Sequence, residues 1–146
     1  MTRIKLPLIG VTLHFGSKDG GPDSKVFMYG VECKRVASGL LLRFEDGSRE
    51  AFHSHAFNAV SWVLSGMLLE TLGGFATPFT HNLTYLAGPT PVLTPRERLH
   101  KVASFGRSWV LSFRGPWAKQ WQDVLPDGTV VTLENGRTVV ESRRVQ

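Results

Sequence analysis

Two histidines separated by one residue, in His53-Ser54-His55, are the side chains of this sequence best suited to chemistry. In an extended strand the side chains at i and i+2 point to the same face, so a strand from Arg49 to His55 would present both imidazoles side by side. Neutral imidazole is a preferred ligand for iron, copper, nickel and zinc. The pair therefore predicts a transition-metal site. The third ligand should come from another strand, and His100 is the candidate.

Two other histidines compete weakly for that role. His81 precedes a strand of similar character and is the reserve ligand, although its simpler interpretation is a loop histidine beside Asn82. His14 lies on the N-terminal strand and is expected to be structural.

The spacing around the histidine pair resembles the first cupin motif, which runs Gly, five residues, His-x-His, three residues, Glu, six residues, Gly. Gly47, His53, His55 and Gly66 fall on those positions, and Ala59 occupies the Glu position. Alanine cannot bind a metal, so this resemblance implies a ligand set of histidines alone.

The second cupin motif, Pro-x-Gly-x-x-His followed by Asn four residues later, is matched more loosely. Pro95 and His100 fit, while Glu97 and Ser104 replace the Gly and the Asn. The motif also has a Gly before its Pro, which Gly88 matches only approximately, one residue early. The resemblance implies a cupin-type jelly-roll barrel, the double-stranded β-helix. Its three-histidine set is similar to that of thiol dioxygenases, which implies Fe(II) as cofactor; Zn(II), Ni(II) and Mn(II) remain open.

Three neutral ligands would leave the full 2+ charge on the ion, so a small anionic or thiol substrate is expected. Arg98 shares parity with His100 if a strand runs from Arg96 to Ala103, and its guanidinium could then hold a carboxylate. Alternatively, Arg98 precedes the strand and is solvated. Tyr85 is a candidate proton donor beside the metal.

Short strands separated by Gly, Pro and Asp turns predict an all-β sandwich or barrel. One domain is expected over residues 1–146, with an N-terminal strand and loop in residues 1–25 and the barrel in about residues 26–141. Asp46-Gly47 and Asn135-Gly136 are hairpin signals.

The aromatic residues give further expectations about packing. Trp62, Trp109 and Phe113 are predicted to lie in the core. Trp117 and Trp121, four residues apart, would stack on a helical turn if one forms.

The composition is that of an ordinary globular chain, with 42% hydrophobic residues, a net charge of +5 and a single cysteine, Cys33. No apolar run approaches the ~20 residues of a membrane helix, and no signal peptide is evident, so a cytoplasmic protein with no membrane partner is expected. Basic residues do not alternate with aromatic residues, which makes nucleic acid an unlikely partner.

Three functional readings remain open on the sequence alone. The first is a non-haem iron dioxygenase. The second is a non-enzymatic cupin for binding or assembly, metal-free if Ala59 marks a lost site, and a homodimer through exposed strand edges. The third is a zinc or manganese isomerase or hydrolase.

Overall fold

The structure, a computed structural model, describes residues 2–48, 52–73, 81–125, 127–134 and 138–144. These ranges contain β-strands, turns and irregular segments but no helix, which confirms the all-β prediction. The strands are β1 Thr2–Leu6, β2 Val11–Lys18, β3 Val26–Glu32, β4 Ser38–Phe44, β5 Gly47–Ser48, β6 Ala59–Ser65, β7 Met67–Leu72, β8 His81–Leu86, β9 Val92–Thr94, β10 His100–Ser104, β11 Ser108–Arg114, β12 Gln120–Val124, β13 Thr129–Glu134 and β14 Thr138–Arg144.

Two antiparallel sheets enclose the main core. One has the strand order β1-β2-β3-β4-β11-β6-β9, and the other has the order β5-β10-β7-β8. Side chains from both sheets meet in one buried cluster of Met28, Leu40, Leu42, Val63, Leu68 and Val110. This arrangement is the predicted jelly roll. Its non-sequential strand order explains why turn signals alone could not give the topology.

The N-terminal residues form a hairpin of β1 and β2 at the edge of the seven-stranded sheet, where a single strand was expected. Asp46-Gly47 does turn the chain, with Gly47 at φ 98°, but the predicted hairpin there is wrong. The strand after the turn, β5, pairs with β10 of the other sheet instead of folding back on β4. The turn therefore carries the chain from one sheet to the other.

The outer face of the large sheet holds aromatic residues that were predicted to be core. Side chains alternate between the two faces of a strand, so Trp109 and Phe113 of β11 face outward while Val110 points inward. Phe113 packs edge to face on Trp62, with ring centroids 6.1 Å apart, and Trp109 lies 5.8 Å from the ring of Tyr29. These outer contacts replace the expected core packing.

A third sheet, β12-β13-β14, covers one end of the barrel. Trp121 of β12 packs there with residues of β13 and the loop before β6, in a cluster of Ala56, Phe57, Trp121, Val131 and Leu133. Trp117 and Trp121 are in contact, with centroids 5.5 Å apart, but no helical turn forms because β12 is extended. The Asn135-Gly136 signal lies outside the described residues, and the strands on either side of it pair antiparallel.

Candidate metal centre

The segment that carries His53 and His55 is held between two strands. His53 and His100 exchange backbone hydrogen bonds, with the His53 N–H donating to His100 at 2.9 Å and the His100 N–H donating back at 3.0 Å. On the other side, the Ser54 N–H donates to the Gln122 carbonyl at 2.8 Å. The predicted continuous strand from Arg49 to His55 is not observed in its described part. Only His53 makes β-bridges, to His100 and Asp123, because successive residues bond to different neighbours.

The three predicted imidazoles converge. Each pair of rings among His53, His55 and His100 has centroids 4.9 Å apart, and one nitrogen from each ring lies within 4.8 Å of the others. Nε2 of His55 and Nε2 of His100 are 2.7 Å apart. Two nitrogens bound to one ion at about 2.0–2.1 Å and at right angles would lie roughly 3 Å apart. The donor set therefore fits a transition metal, and these three residues could hold one.

A carboxylate that the sequence analysis missed orients the third imidazole. Glu70 of β7 is 2% exposed and accepts a hydrogen bond from Nδ1 of His100. With the proton on Nδ1, the lone pair of His100 stays on Nε2, directed toward His55. A histidine ligand oriented in this way by a carboxylate is a common arrangement around protein-bound metals.

Glu70 also binds two of its neighbours. The Tyr85 hydroxyl donates to Oε2 of Glu70 at 2.5 Å, and the Arg98 guanidinium lies 3.5 Å from Oε1. Burial raises the pKa of Glu70, but the hydrogen bonds from His100 and Tyr85 and the electrostatic attraction of His100 and Arg98 outweigh it and hold that pKa below its usual value. Burial, together with the hydrogen bond to Glu70 and its charge, raises the pKa of Tyr85 to about 12. Glu70 is thus held as a carboxylate and Tyr85 as a phenol.

The strand predicted from Arg96 to Ala103 begins only at His100, so Arg98 precedes it. The argument from shared parity is therefore wrong, although the guanidinium does reach Glu70. Tyr85 lines the cavity beside the histidines, and Arg98 is not among the residues that line it. The catalytic roles of Tyr85 and Arg98 stay predictions.

The other sequence candidates lie apart from this cluster. His81 opens β8 instead of lying in a loop; it is exposed and outside the three-histidine group. His14 is buried at 4% exposure, with Nδ1 2.5 Å from the Ser17 hydroxyl and Nε2 3.7 Å from Glu32. Ala59, at the position of the missing Glu, lines the cavity without offering a ligand.

The histidines open onto a cavity of about 390 Å³ between the sheets. Its apolar wall includes Val63, Leu68 and Val110 from the core, and its lining also contains polar and charged side chains. A cavity of this size suits a small molecule. Buried Asp123, which bridges to His53, also lines it and was missed by the sequence analysis.

A sequence signal existed for Glu70 but not for Asp123. Glu70 lies two residues after Leu68, a core residue, so both side chains point to the same face of β7. A charged residue on an inward face is unusual enough to suggest a function. Asp123 lies in a segment expected to be helical or irregular, and only the long-range bridge to His53 reveals its place.

The sequence matches none of the known protein-family models and none of the curated proteins. Among the residues that the structure describes, no helix has the length and apolar character needed to cross a membrane.

The fold is similar to several solved structures. A cupin superfamily protein from Desulfitobacterium hafniense DCB-2 has a TM-score of 0.51 at 15% identity, over 67% of this chain and 84% of that one. Fe(II) HppE in complex with its substrate has a TM-score of 0.55 at 13% identity, over 69% of this chain and 56% of that one. Oxalate decarboxylase from Bacillus subtilis has a TM-score of 0.53 at 12% identity, over 72% of this chain and 28% of that one. At these identities the likeness shows the fold alone, and the chain has the cupin fold.

Proposed function

We propose that this cupin-fold protein is a non-haem iron oxygenase that binds Fe(II) through His53, His55 and His100 and acts on a small anionic or thiol substrate. The observation that carries the proposal is the convergence of three imidazoles, one of them oriented by Glu70, at the wall of a cavity between the two sheets. A structural cluster of buried histidines would not need a cavity beside it.

The donor set favours a catalytic site over a closed structural one. Three protein ligands leave coordination positions open, and Ala59, which lines the cavity, offers no fourth ligand. Bound there, Fe(II) would supply open positions for substrate and O2 and a charge that three neutral imidazoles do not offset.

The surrounding residues have separate tasks in this proposal. Glu70 keeps the proton of His100 on Nδ1, and Tyr85 and Arg98 hold Glu70 in place. Because the Tyr85 hydroxyl already donates to Glu70, we propose a positioning role for Tyr85 in the resting site. Val63, Leu68 and Val110 give the cavity an apolar wall against which the apolar part of a small substrate could pack.

Two of the similar structures are consistent with this chemistry. HppE was solved with Fe(II) and its substrate, and oxalate decarboxylase acts, by its name, on a small dicarboxylate. The first likeness favours a metal site in this chain, and the second favours a small anionic substrate.

The test begins with metal analysis of tag-free protein loaded anaerobically with Fe(II). We expect one ion per chain in wild type, a loss of stoichiometric binding in His55→Ala, and wild-type binding in the matched control His81→Ala, because His81 lies outside the cluster. Oxygen uptake is then measured with a panel of small thiols and organic acids.

Each outcome of this test has a defined meaning. Oxygen uptake that disappears in His55→Ala supports the oxygenase. Stoichiometric zinc, together with turnover that needs no O2, would instead support a hydrolase or isomerase. Bound iron without turnover across the panel would favour a binding module, and equal metal content in His55→Ala and wild type would refute the site.

A further inference from the structure

The outer face of the seven-stranded sheet carries apolar side chains on every one of its strands. Directly paired residues of antiparallel strands point to the same face of a sheet. Phe15 of β2 lies opposite Tyr29 of β3, which lies opposite Leu41 of β4. Leu41 in turn lies opposite Leu111 of β11, and Leu111 lies opposite Trp62 of β6. One row of apolar side chains therefore crosses five neighbouring strands on the side away from the cavity.

Much of this outer face is open to solvent. Side chains that it presents on β1, β2, β3, β9 and β11 are each between 46% and 64% exposed, namely Ile4, Phe15, Val31, Leu93 and Phe113. The inward positions of the same sheet, such as Met28, Leu42 and Val110, are buried. A continuous apolar surface larger than a few hundred Å² is rare on a monomer and marks an interaction site.

The charge at the centre of the outer face is neutralised within the chain. Arg43 of β4 lies opposite Trp109, with its Nε 2.8 Å from a carboxylate oxygen of Glu45 and its guanidinium carbon 4.6 Å from the centroid of Phe27. Depletion of charge at the core of the contact is typical of homodimer interfaces. Two copies of this face would meet without repulsion between like charges, so the face is complementary to itself.

The size and shape of the outer face also suit a second copy of the chain. Four of its strands are seven residues long, so seven strands cover roughly 30 Å by 20 Å, or about 600 Å² of flat area. Protruding side chains make the accessible area larger, and a stable interface needs about 800 Å² from each partner. Sheets pack face to face when their twists match, and a second copy supplies the same twist.

We propose that the outer face of the seven-stranded sheet is a homodimer interface, in which two copies of the chain pack sheet against sheet about a two-fold axis. The ring pairs Trp62–Phe113 and Tyr29–Trp109 lie on this face and would anchor the contact, because large aromatic side chains supply most of the binding energy of interfaces. The inference is independent of the metal and of the proposed function.

The edges of the same sheet are poorer sites for association. The edge strand β1 carries Arg3 and Lys5, and the other edge strand, β9, is three residues long and lies between Pro91 and Pro95. Charged side chains, prolines and short strands are the features that prevent pairing between sheet edges. The proposed dimer therefore uses the face of the sheet and not the strand edges expected from the sequence.

The first experiment measures association by analytical ultracentrifugation of tag-free protein over a dilution series. We expect wild type to sediment with twice the 16.2 kDa mass of the chain at micromolar concentration. Val31→Lys should raise the dissociation constant roughly a hundredfold or more, because the lysine would be buried without a partner. The matched control is Val140→Lys on β14, since Val140 is 47% exposed and Val31 is 46% exposed. This control should dimerise like wild type.

The second experiment needs no variant and locates the contact. Wild type is footprinted with hydroxyl radicals at concentrations above and below its dissociation constant. The reactivity of Trp62 and Trp109 should fall severalfold in the dimer, because both rings would be covered. The reactivity of Trp117 and Trp121 should not change, since these residues pack at the end of the barrel.

Each result either supports or overturns the interface. A wild type that stays monomeric at the highest concentration would overturn it, and so would a monomer that binds phospholipid vesicles through this face. A dimer that leaves Trp62 and Trp109 reactive would overturn it even if Val31→Lys failed to fold. If wild type binds no metal but dimerises with both rings protected, the proposed function falls and the interface stands.

Discussion

Glu70 accepts a hydrogen bond from Nδ1 of His100 and another from the hydroxyl of Tyr85, so one buried carboxylate joins a candidate ligand of β10 to a phenol of β8. The carboxylate lies on β7, the strand between them. The orientation of His100 therefore depends on the packing of three neighbouring strands and not on its own rotamer alone.

Replacing that carboxylate by an amide should weaken metal binding. In Glu70→Gln, His100 loses a charged acceptor, and the amide group cannot accept from both His100 and Tyr85 through two carboxylate oxygens. We expect the Kd for Co(II) to rise by about 10- to 100-fold, measured by competition with a chromophoric chelator. The control Glu97→Gln changes an exposed carboxylate that pairs with Arg96 and should leave the Kd unchanged. Equal affinities in both variants would contradict the role of Glu70.

The same contact should be visible at alkaline pH. The folded-state pKa of Tyr85 is raised to about 12 from its usual 10.0, so the folded protein holds a proton that the unfolded chain releases between those values. The resulting stabilisation is complete below the unfolded pKa and is lost as pH rises through the folded one. The phenolate absorbance of wild type, after subtraction of that of Tyr85→Phe, should rise with pH with a midpoint near 12. It should titrate lower in Glu70→Gln, where burial remains but the carboxylate charge is gone. An identical midpoint in that variant would argue against the contact.

Ser54 should matter because its hydroxyl ties the histidine segment to β12. Its hydroxyl donates to the Gln122 carbonyl at 3.2 Å and lies 3.0 Å from the Gln122 N–H, which donates to it. Ser54→Ala should lower the free energy of unfolding by about 1–3 kcal/mol and loosen both flanking histidines, so that metal affinity also falls. Urea unfolding and chelator competition measure the two effects. Ser65→Ala, on an exposed position of β6, should change neither by more than about 0.5 kcal/mol.

Gly66 is required where the chain passes between the two sheets. Its φ is +85°, and a Cβ there would lie 2.2 Å from the Ser108 hydroxyl oxygen and 2.8 Å from the Arg107 carbonyl oxygen. Gly66→Ala should therefore destabilise the protein by about 2–4 kcal/mol, through backbone strain and overpacking. Gly106 also has a positive φ of +70° but open space around its Cβ position. Gly106→Ala should cost only about 1–2 kcal/mol, and equal losses in urea unfolding would show that packing at Gly66 is irrelevant.

The sequence was sufficient to predict the all-β fold and the three converging imidazoles. The turn signals and the His53-Ser54-His55 spacing are local, and the cupin resemblance supplied His100, 45 positions after His55. The prediction that a regular strand presents His53 and His55 on one face was only partly right. Their segment hydrogen-bonds to β10 and β12 in turn and does not form a regular strand of its own.

Periodicity could not tell which face of a strand would be buried. Trp109 and Phe113 form the larger apolar face of β11, yet the smaller Val110 points into the core. The inner face of the large sheet lines a cavity whose lining also contains polar and charged side chains, so hydrophobicity there does not mark the interior. Glu70 was missed because its importance comes from His100 and Tyr85, which lie on the two neighbouring strands but far from it in the sequence.

The attachment of the histidine segment to β12 has a thermodynamic consequence. Ser54 and Gln122, 68 positions apart in the chain, are joined through both backbone and side chain, and β12 belongs to the C-terminal sheet. Any ion that binds the assembled cluster but not a partly open one must stabilise the docking of that sheet. Linkage is reciprocal, so undocking of the C-terminal sheet would favour release of the ion. The terminal strands, which supply none of the three imidazoles, would then help to set how long the ion is retained.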